Sequence, residues 1–481
     1  MSVRRKEIYR RRRFWALAVA VIVTYLVVEL LSGGGLPSPP PPGVAPGAVA
    51  GDPFAYTAAA EQQFATRAML GNAQVLFLKS PGGIMATAAR VASYRNLIDN
   101  AVRGTKIPAS LLEGVVFLES AGRAQVIAGN SAADAAGLTQ ILAGTGKTML
   151  GMHINLRRSQ KLTNEIGAAQ AAGDSAKVTA LESQRAKIDP RFNPVAELAA
   201  TVRYLKTAER SLGGRADLAI AAYHAGIANL QQILTLYDGG RAVPYPQLYF
   251  DSSPTLNPGV LASLETLPDD GGLYYWRVLA AEHVMALWRG GVAGRARLRR
   301  WAQEEQGFPS GALTLTAGVT HFSDPAAVAN AYHTKPAELV PLPRNSSALH
   351  LSYAPSLGSM AAKVGAPPAI YRGLRPAALR MLIQMVAWVD ALAKTDAAMI
   401  VTNTVRDPRY NAQVGFDSDP PAATGYTFDI ERTYATLAQR QDFQFVLDRL
   451  QDLNLIAWTR GTDVIEITVA PDAESVLEHG V

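Results

Sequence analysis

Residues 108–120, with the sequence PASLLEGVVFLES, predict a helix that carries a glutamate among apolar side chains. Glu119 lies on the same helical face as three apolar residues that precede it by three, four and seven positions, namely Val116, Val115 and Leu112. A carboxyl group against apolar neighbours resists ionisation, and a general acid that works near neutral pH needs that property. The alternative interpretation is a glutamate at a helix end whose carboxylate reaches solvent.

Two other carboxylates near this segment are expected to have ordinary roles. Glu113 lies about 120° around the helix axis from Glu119, so we expect a solvated carboxylate there. Asp134, within residues 131–135, is the nearest downstream carboxylate, and its neighbours indicate a loop close to a helix start. Aspartate commonly caps helices at such positions, so we expect a cap or a solvated side chain.

Composition limits the kind of protein this is. The chain has 481 residues, 48% of them hydrophobic and 18% charged, and it contains no cysteine. Its length predicts two or three domains, and the missing cysteines exclude a disulfide scaffold, a Cys-based zinc site and a thiol nucleophile. The net charge of +6 lies entirely in residues 1–13, and the rest of the chain has 39 basic and 39 acidic residues. The main part of the chain therefore gives no indication of nucleic-acid binding.

The beginning of the chain predicts a membrane anchor. Residues 1–13 form a basic tip that we expect on the cytoplasmic side, and residues 14–32 are apolar over about the length of a membrane span. Residues 33–52 are rich in proline and glycine and predict a semi-rigid linker. This pattern predicts a single-pass plasma-membrane protein whose bulk is extracytoplasmic. The alternative is a cleaved signal peptide.

The remaining chain predicts two folded domains of different class. Residues 53–305 have helical periodicity, and residues 148–188 indicate a charged helical hairpin, broken near Gly173, inserted into this domain. Residues 306–345 contain several prolines and predict a junction. Residues 346–481 combine helical segments with strand-forming runs, which predicts an α+β domain.

Four short motifs in the helical region occur in a recognisable order. They are Glu119-Ser120, the GLTQI of residues 137–141, the RFNP of residues 191–194, and the AAYHAG of residues 221–226. In order and spacing they resemble the soluble lytic transglycosylase family, over roughly residues 85–240. The resemblance implies a mainly α, lysozyme-like domain that acts on the glycan strands of peptidoglycan, without a metal or another cofactor.

The resemblance also implies roles for individual residues. Glu119 matches the family's catalytic glutamate, and Ser120 the serine that follows it near the reaction centre. Gln140 matches the glutamine that faces the substrate. Tyr223 matches the tyrosine near the catalytic carboxyl, and His224 stands where the family has asparagine. Ser120, Gln140, Tyr223 and His224 are therefore expected to bind substrate.

The reaction implied by the resemblance is a lytic cleavage that uses one carboxyl group. Glu119 protonates the glycosidic oxygen and then removes the proton of the muramic 6-hydroxyl, which closes a 1,6-anhydro ring. A hydrolase would need a second carboxylate across the scissile bond. Hydrolysis remains open because Asp134 is available. The aromatic residues at 274–276 could stack on sugar rings, although such residues more often belong to a core.

The last domain resembles the zinc D-Ala-D-Ala carboxypeptidase family, but it lacks key ligands. The stretches VTNTVR at 401–406 and TGYTFDI at 424–430 carry the resemblance. Asp429 matches a ligand aspartate and Arg406 a substrate-side arginine. The positions of the two ligand histidines and of the base are occupied by Ala422, Glu466 and Asp463. Zinc favours imidazole, so we expect a degenerate domain without metal. Binding of the peptide stems of the cell wall is a function consistent with such a domain.

Two functions are consistent with the sequence. The first is a membrane-anchored murein lytic transglycosylase, whose partners are peptidoglycan strands and the inner membrane. The second is a non-catalytic wall-binding or scaffold protein in which both enzyme folds have decayed. Protein partners are not indicated by the sequence.

Overall fold

A computed structural model of the chain describes residues 54–307, 312–415 and 419–473. The predicted basic tip at 1–13, the membrane anchor at 14–32 and the linker at 33–52 all lie outside the described residues. Contacts divide the chain into two compact units. We call Tyr56–Gln306 the helical unit. The other unit, of which the structure describes residues 54–55 and the described residues from Gly307 onward, is called the mixed unit.

The helical unit consists of α-helices joined by turns and short 3₁₀ segments. In chain order the helices are α1 Glu61–Gly71, α2 Gln74–Leu78, α3 Ile84–Ala92, α4 Arg95–Val102, α5 Ala109–Ser120, α6 Ala143–Thr148, α7 Leu156–Ala171, α8 Ser175–Ile188, α9 Pro194–Ser211, α10 Ala216–Ala225, α11 Ile227–Asp238, α12 Tyr245–Phe250, α13 Pro258–Glu265, α14 Tyr274–Arg289 and α15 Gly291–Gly307. Residues 148–188 thus contain α7 and α8, which are joined by a turn at Gly173 with φ of 70°.

The core of the helical unit is built around α5 and α14. Val115 and Val116 of α5 are fully buried, as are Val278 and Val284 of α14. Gly114 permits close approach of the two helices, because a Cβ at this position would lie 3.0 Å from the carbonyl oxygen of Val278. Burial of these apolar faces is the main source of stability for such a helix pair.

The mixed unit combines helices with two sheets. Its helices are α16 Ala312–Leu315, α17 Pro325–Ala331, α18 Pro376–Ala393, α19 Pro408–Val414 and α20 Leu437–Asp452. Its strands are β1 Val340–Pro341, β2 Leu351–Tyr353, β3 Gly373–Leu374, β4 Met399–Asn403, β5 Thr427–Glu431, β6 Ile456–Arg460 and β7 Val464–Val469. The larger sheet has the order β2-β4-β5-β7-β6, with β2 parallel to β4 and the other pairs antiparallel.

Helix α18 forms much of the core of the mixed unit. Within the described part of the chain it is long and apolar enough to cross a membrane, but 72% of its apolar window is buried inside the protein. It packs against α20 and the sheet. The predicted fold class is therefore confirmed in its coarse form: the chain is mostly helical and ends in a region of strands and helices.

Candidate active site

Glu119 lies at the C-terminal end of α5, one residue before the helix ends. The helix stops at Ser120 because Ala121 adopts a left-handed conformation, with φ of 54°. The Glu119 side chain is partly buried beside the apolar core residues of the same helix. A carboxyl group is thus held at a helix end without being fully exposed to solvent.

Tyr274, the first residue of α14, holds this carboxyl group. Its hydroxyl donates a hydrogen bond of 2.6 Å to Glu119 Oε1. Burial raises the pKa of Glu119 to about 7, while the hydrogen bond from Tyr274 partly opposes the rise by favouring the ionised form. Protonated and ionised Glu119 therefore coexist near neutral pH, which suits a group that first gives a proton and then takes one.

Tyr223 and His224, at the end of α10, both lie against Tyr274. The Tyr223 ring is stacked on the Tyr274 ring with centroids 6.2 Å apart, and the His224 ring is stacked on it at 5.2 Å. His224 Nε2 lies 3.1 Å from the carbonyl oxygen of Pro268. The structure thus brings the predicted residues Glu119, Tyr223 and His224 together around Tyr274.

Residues 137–141 are fixed to two helices next to this aromatic group. The Ser120 hydroxyl is buried and donates to the carbonyl oxygen of Leu138 at 2.7 Å. The Tyr223 hydroxyl donates to the carbonyl oxygen of Thr139 at 2.8 Å. Ser120 is therefore placed to position the segment, since its side chain is enclosed by protein.

Gln140 lies in the same segment with an unusual backbone. Its φ is 52°, a left-handed conformation, and its side chain is partly buried. The side-chain amide donates to the carbonyl oxygen of Gly137 at 2.7 Å. This bond orients the side chain within its own loop.

Glu197 is a second buried carboxylate that the sequence interpretation missed. It lies in the first turn of α9 and is fully buried. Its Oε2 accepts the backbone N–H of Leu138 at 2.6 Å, and its Oε1 accepts the backbone N–H and the hydroxyl of Thr139 at 2.8 and 3.1 Å. Burial raises its pKa to about 8 against the effect of these bonds. Acidic residues are common in the first turn of a helix, so no sequence pattern indicated that Glu197 would accept hydrogen bonds from this segment.

Gly137 is required where this carboxylate meets the loop. Its φ is 88°, and a Cβ would lie 1.9 Å from the carbonyl oxygen of Arg191 and 2.5 Å from Glu197 Oε1. No side chain fits in this space, and a non-glycine residue is also strained at this φ. The first residue of the GLTQI motif is thereby explained by close packing.

Arg191 braces the loop that precedes this segment. It is fully buried, forms an ion pair with Asp189 at 2.7 Å, and donates to the carbonyl oxygens of Ala132 and Asp134 at 2.6 and 2.8 Å. The Asp134 carboxylate accepts the backbone N–H of Ser131 at 3.0 Å. Both side chains hold the loop 131–141 in place.

The expectation that Glu113 is solvated is wrong. Its side chain is 1% exposed and forms ion pairs with Arg95 of α4 and Arg289 of α14. These arginines come from other helices, which a helical wheel of α5 alone does not include. Among the aromatic residues at 274–276, Trp276 is fully buried, which agrees with the interpretation that it belongs to a core.

A comparison with known families identifies part of this unit. The chain matches the transglycosylase SLT domain over residues 156–239. This match points in general to transglycosylase activity on peptidoglycan. It includes Tyr223 and His224 and begins downstream of Glu119, Ser120 and Gln140. No curated protein and no solved structure matches the chain.

The mixed unit places the residues of its own predicted site around an arginine. Arg406 is fully buried and forms ion pairs with Asp429 at 2.7 Å, with Glu466 at 3.1 Å and with Asp419. Asp429 and Glu466 are cross-strand partners on β5 and β7. Burial, together with the two aspartates, raises the pKa of Glu466. We call these four residues the Arg406 cluster.

Ala422 and Asp463, the other two positions of the predicted peptidase pattern, are not part of the Arg406 cluster. The carbonyl oxygen of Ala422 accepts the backbone N–H of Arg406 at 3.1 Å, while its methyl group offers no ligand. Asp463 is exposed between β6 and β7. In the described ranges no group of three His, Asp or Glu side chains is arranged to hold a metal ion.

Proposed function

We propose that the protein is a membrane-anchored murein lytic transglycosylase that cleaves the β-1,4 bond between N-acetylmuramic acid and N-acetylglucosamine, with Glu119 as general acid and base. The observation that carries this proposal is the Glu119 carboxyl, with a pKa near 7, held by Tyr274 at 2.6 Å. The transglycosylase match over residues 156–239 supports the same reaction class.

The proposed reaction needs a single carboxyl group. Protonated Glu119 gives its proton to the glycosidic oxygen as the bond between that oxygen and muramic C1 breaks. The resulting carboxylate takes the proton of the muramic 6-hydroxyl while the 6-oxygen bonds to C1 and closes the 1,6-anhydro ring. Glu119 regains its proton and no water is consumed, so acid and base roles alternate on one group whose pKa is near the working pH.

A lysozyme-type hydrolysis is supported less well. It requires a second carboxylate that activates water or bonds to the sugar. Both oxygens of Glu197 accept hydrogen bonds from Leu138 and Thr139, and Asp134 is engaged by the backbone of its own loop. Glu197 is also fully buried and therefore has no free position for a water, whereas Asp134 uses one of its oxygens to fix its own loop.

For the predicted substrate-binding residues we propose two kinds of role. Tyr223 and His224 stack on Tyr274 beside the carboxyl group and are proposed to shape the sugar site. Ser120 and Gln140 are proposed to act mainly by orienting residues 137–141, because both donate hydrogen bonds to that segment. The sequence pattern of residues 1–52 supports an anchor and a stalk that hold this unit outside the membrane.

The second candidate is a non-catalytic wall-binding protein, and the Arg406 cluster favours such a role for the mixed unit. Three carboxylates surround the Arg406 guanidinium, and two of them, Asp429 and Glu466, stand at positions that the peptidase resemblance assigns to metal ligands. We propose a degenerate peptidase fold for this unit, which leaves catalysis to Glu119.

A product digest separates these functions. Full-length protein in detergent is incubated with purified peptidoglycan, and the fragments are analysed by mass spectrometry. Products with 1,6-anhydro ends that disappear in Glu119→Gln support the lytic enzyme, whereas free reducing ends indicate a hydrolase. Glu165 is a partly exposed glutamate that is paired with Lys161. The variant Glu165→Gln is the matched control and is expected to retain activity. No release of fragments by the wild type refutes the enzyme and leaves the scaffold.

A further inference from the structure

The segment that joins the GLTQI motif to the hairpin is basic and free of acidic residues. Residues 135–164 contain four lysines and arginines and no aspartate or glutamate, although residues 14–481 as a whole have equal numbers of basic and acidic residues. One of the four, Lys161, is paired with Glu165 at 3.8 Å. Positive charge is thus concentrated in one part of the helical unit.

An open cavity of about 710 Å³ lies where this segment passes from α6 to α7. Exposed Lys147, His153 and Arg157 line it, together with the buried side chains of Met152 and Ile154. None of its lining residues, which all lie in the described range 54–307, is acidic. Neither Lys147 nor Arg157 forms an ion pair with another described residue. The cavity therefore offers uncompensated cations above an apolar floor.

The walls of the cavity are held by hydrogen bonds from the surrounding structure. The backbone N–H of Met152 donates to the carbonyl oxygen of Gly146 at 2.8 Å, and that of Asn155 to the carbonyl oxygen of Ile188 at 3.0 Å. Arg203 of α9 donates to the carbonyl oxygen of Leu150 at 3.0 Å. A preformed site binds with a smaller entropic cost than a mobile one.

The cavity floor is packed against the candidate active-site segment. A Cβ on Gly146 would lie 3.0 Å from Ile154 Cδ1 and 3.6 Å from Ile141 Cγ2, so these residues share one packed layer. Ile141 directly follows Gln140. The cavity floor is therefore in packing contact with the segment that carries Gln140.

We propose that this cavity binds the carboxylates of the peptide stem carried by the glycan strand that Glu119 cleaves. The inference rests on the proposed function. In intact strands the sugars carry no free carboxylate, because the lactyl carboxyl of muramic acid is amide-bonded to the stem. The stems carry carboxylates and small alkyl side chains, which match the cations and the apolar floor respectively. The volume is within the usual range of small-ligand and peptide pockets.

Binding of two forms of the same polymer tests the proposal. Full-length protein carrying Glu119→Gln is mixed with insoluble peptidoglycan that keeps its stems. It is also mixed with the same glycan after an amidase has removed the stems and the freed lactyl carboxylates have been capped as amides. The double variant Lys147→Glu, Arg157→Glu is expected to bind stem-bearing glycan about five- to tenfold more weakly. Its binding to the stripped glycan is expected to stay unchanged.

A matched control carries Lys106→Glu and Arg299→Glu, two exposed basic residues outside the cavity, so that the total charge changes equally. Equal loss on both polymers, no loss, or a loss equal to that of the control overturns the proposal. Displacement by polyphosphate but not by soluble stem peptide also overturns it, in favour of a phosphate polymer. Because binding is measured without cleavage, a failure of the lytic reaction in the product digest is distinguishable from a failure of this site.

Discussion

The hydroxyl of Tyr274 and the carboxyl of Glu119 are 2.6 Å apart, although 155 residues separate them in the chain. The bond joins the start of α14 to the end of α5, the two helices at the centre of the helical core. Burial and this bond have opposite effects on Glu119: burial favours the neutral acid, and the hydroxyl favours the anion. The balance leaves a pKa near 7.

Glu119→Gln is expected to stabilise the protein at high pH. The carboxyl has a higher pKa in the folded protein than its ordinary value of 4.5, so the folded state prefers the proton and loses stability as the pH rises from about 4.5 to about 7. Removing the charge should raise the free energy of unfolding by about 1–3 kcal/mol at pH 8, and by less than about 1 kcal/mol at pH 5. Urea unfolding at the two pH values measures the difference.

Glu165→Gln, at a partly exposed position, serves as the control for that measurement and should show no such pH dependence. An equal effect of Glu119→Gln at pH 5 and pH 8 would contradict the raised pKa of Glu119. Greater stability together with lost cleavage would be the behaviour of a group retained for function at the expense of stability.

Tyr274→Phe should shift the alkaline limb of the pH–rate profile to higher pH. The lost hydrogen bond favoured ionised Glu119, so its removal raises the pKa of that carboxyl further, and the proton is retained to higher pH. The maximal rate should fall, because the carboxyl is no longer oriented. The rate of anhydro-product release from pH 5 to pH 9 provides the measurement.

Tyr275→Phe is the matched control, because Tyr275 packs against Tyr245 and Trp276. Its profile should coincide with that of the wild type. If the alkaline limb of the Tyr274→Phe profile lies at the same pH as that of the wild type, the hydroxyl does not influence the pKa of Glu119.

Local sequence predicted α5 and the side of it that carries Glu119, because both follow from the helical period. The same reasoning failed for Glu113, whose charge is balanced by Arg95 and Arg289 from distant parts of the chain. Tyr274 and Glu197 were missed as partners of the site for the same reason. Their roles depend on contacts with Glu119 and with residues 138–139, and no local pattern encodes such contacts.

The mixed unit shows the same limit. Its composition predicted helices together with strands, since residue types and periodicity decide that choice. Asp429 and Glu466 face each other only because β5 pairs with β7 in a particular register. Asp463 lies three residues before Glu466, but it is exposed just before the start of β7, so it does not join the Arg406 cluster.

Gly137→Ala is expected to destabilise the helical unit by at least about 2 kcal/mol. The new methyl group would overlap the carbonyl oxygen of Arg191, and the left-handed φ adds strain. Gly144→Ala is the matched control, since a Cβ there has open space around it and Gly144 lies in α6. The control should be neutral or stabilising by up to about 1 kcal/mol. Thermal unfolding distinguishes the two, and equal melting temperatures would show that the segment 137–141 is not packed as described.

Arg406→Leu is expected to cost the mixed unit about 3 kcal/mol or more of unfolding free energy. The change leaves Asp429, Asp419 and Glu466 close together without their cation. Adding Asp429→Asn should restore part of the loss, because one of the facing negative charges is removed. The loss should also shrink as the pH is lowered, because the raised pKa of Glu466 favours its neutral form.

The control for the Arg406 cluster is Arg440→Leu, an exposed position on α20 that should change stability by less than about 0.5 kcal/mol. Urea unfolding gives the free energies, and hydrogen exchange of the amides in β5 and β7 localises the loss to the strands that carry Asp429 and Glu466. A cost below about 1 kcal/mol for Arg406→Leu would mean that these carboxylates are already neutral in the folded protein. In that case Asp429→Asn alone should have almost no effect, whereas a charged cluster predicts that it weakens β5 and β7, because Arg406 then loses one of its counter-charges.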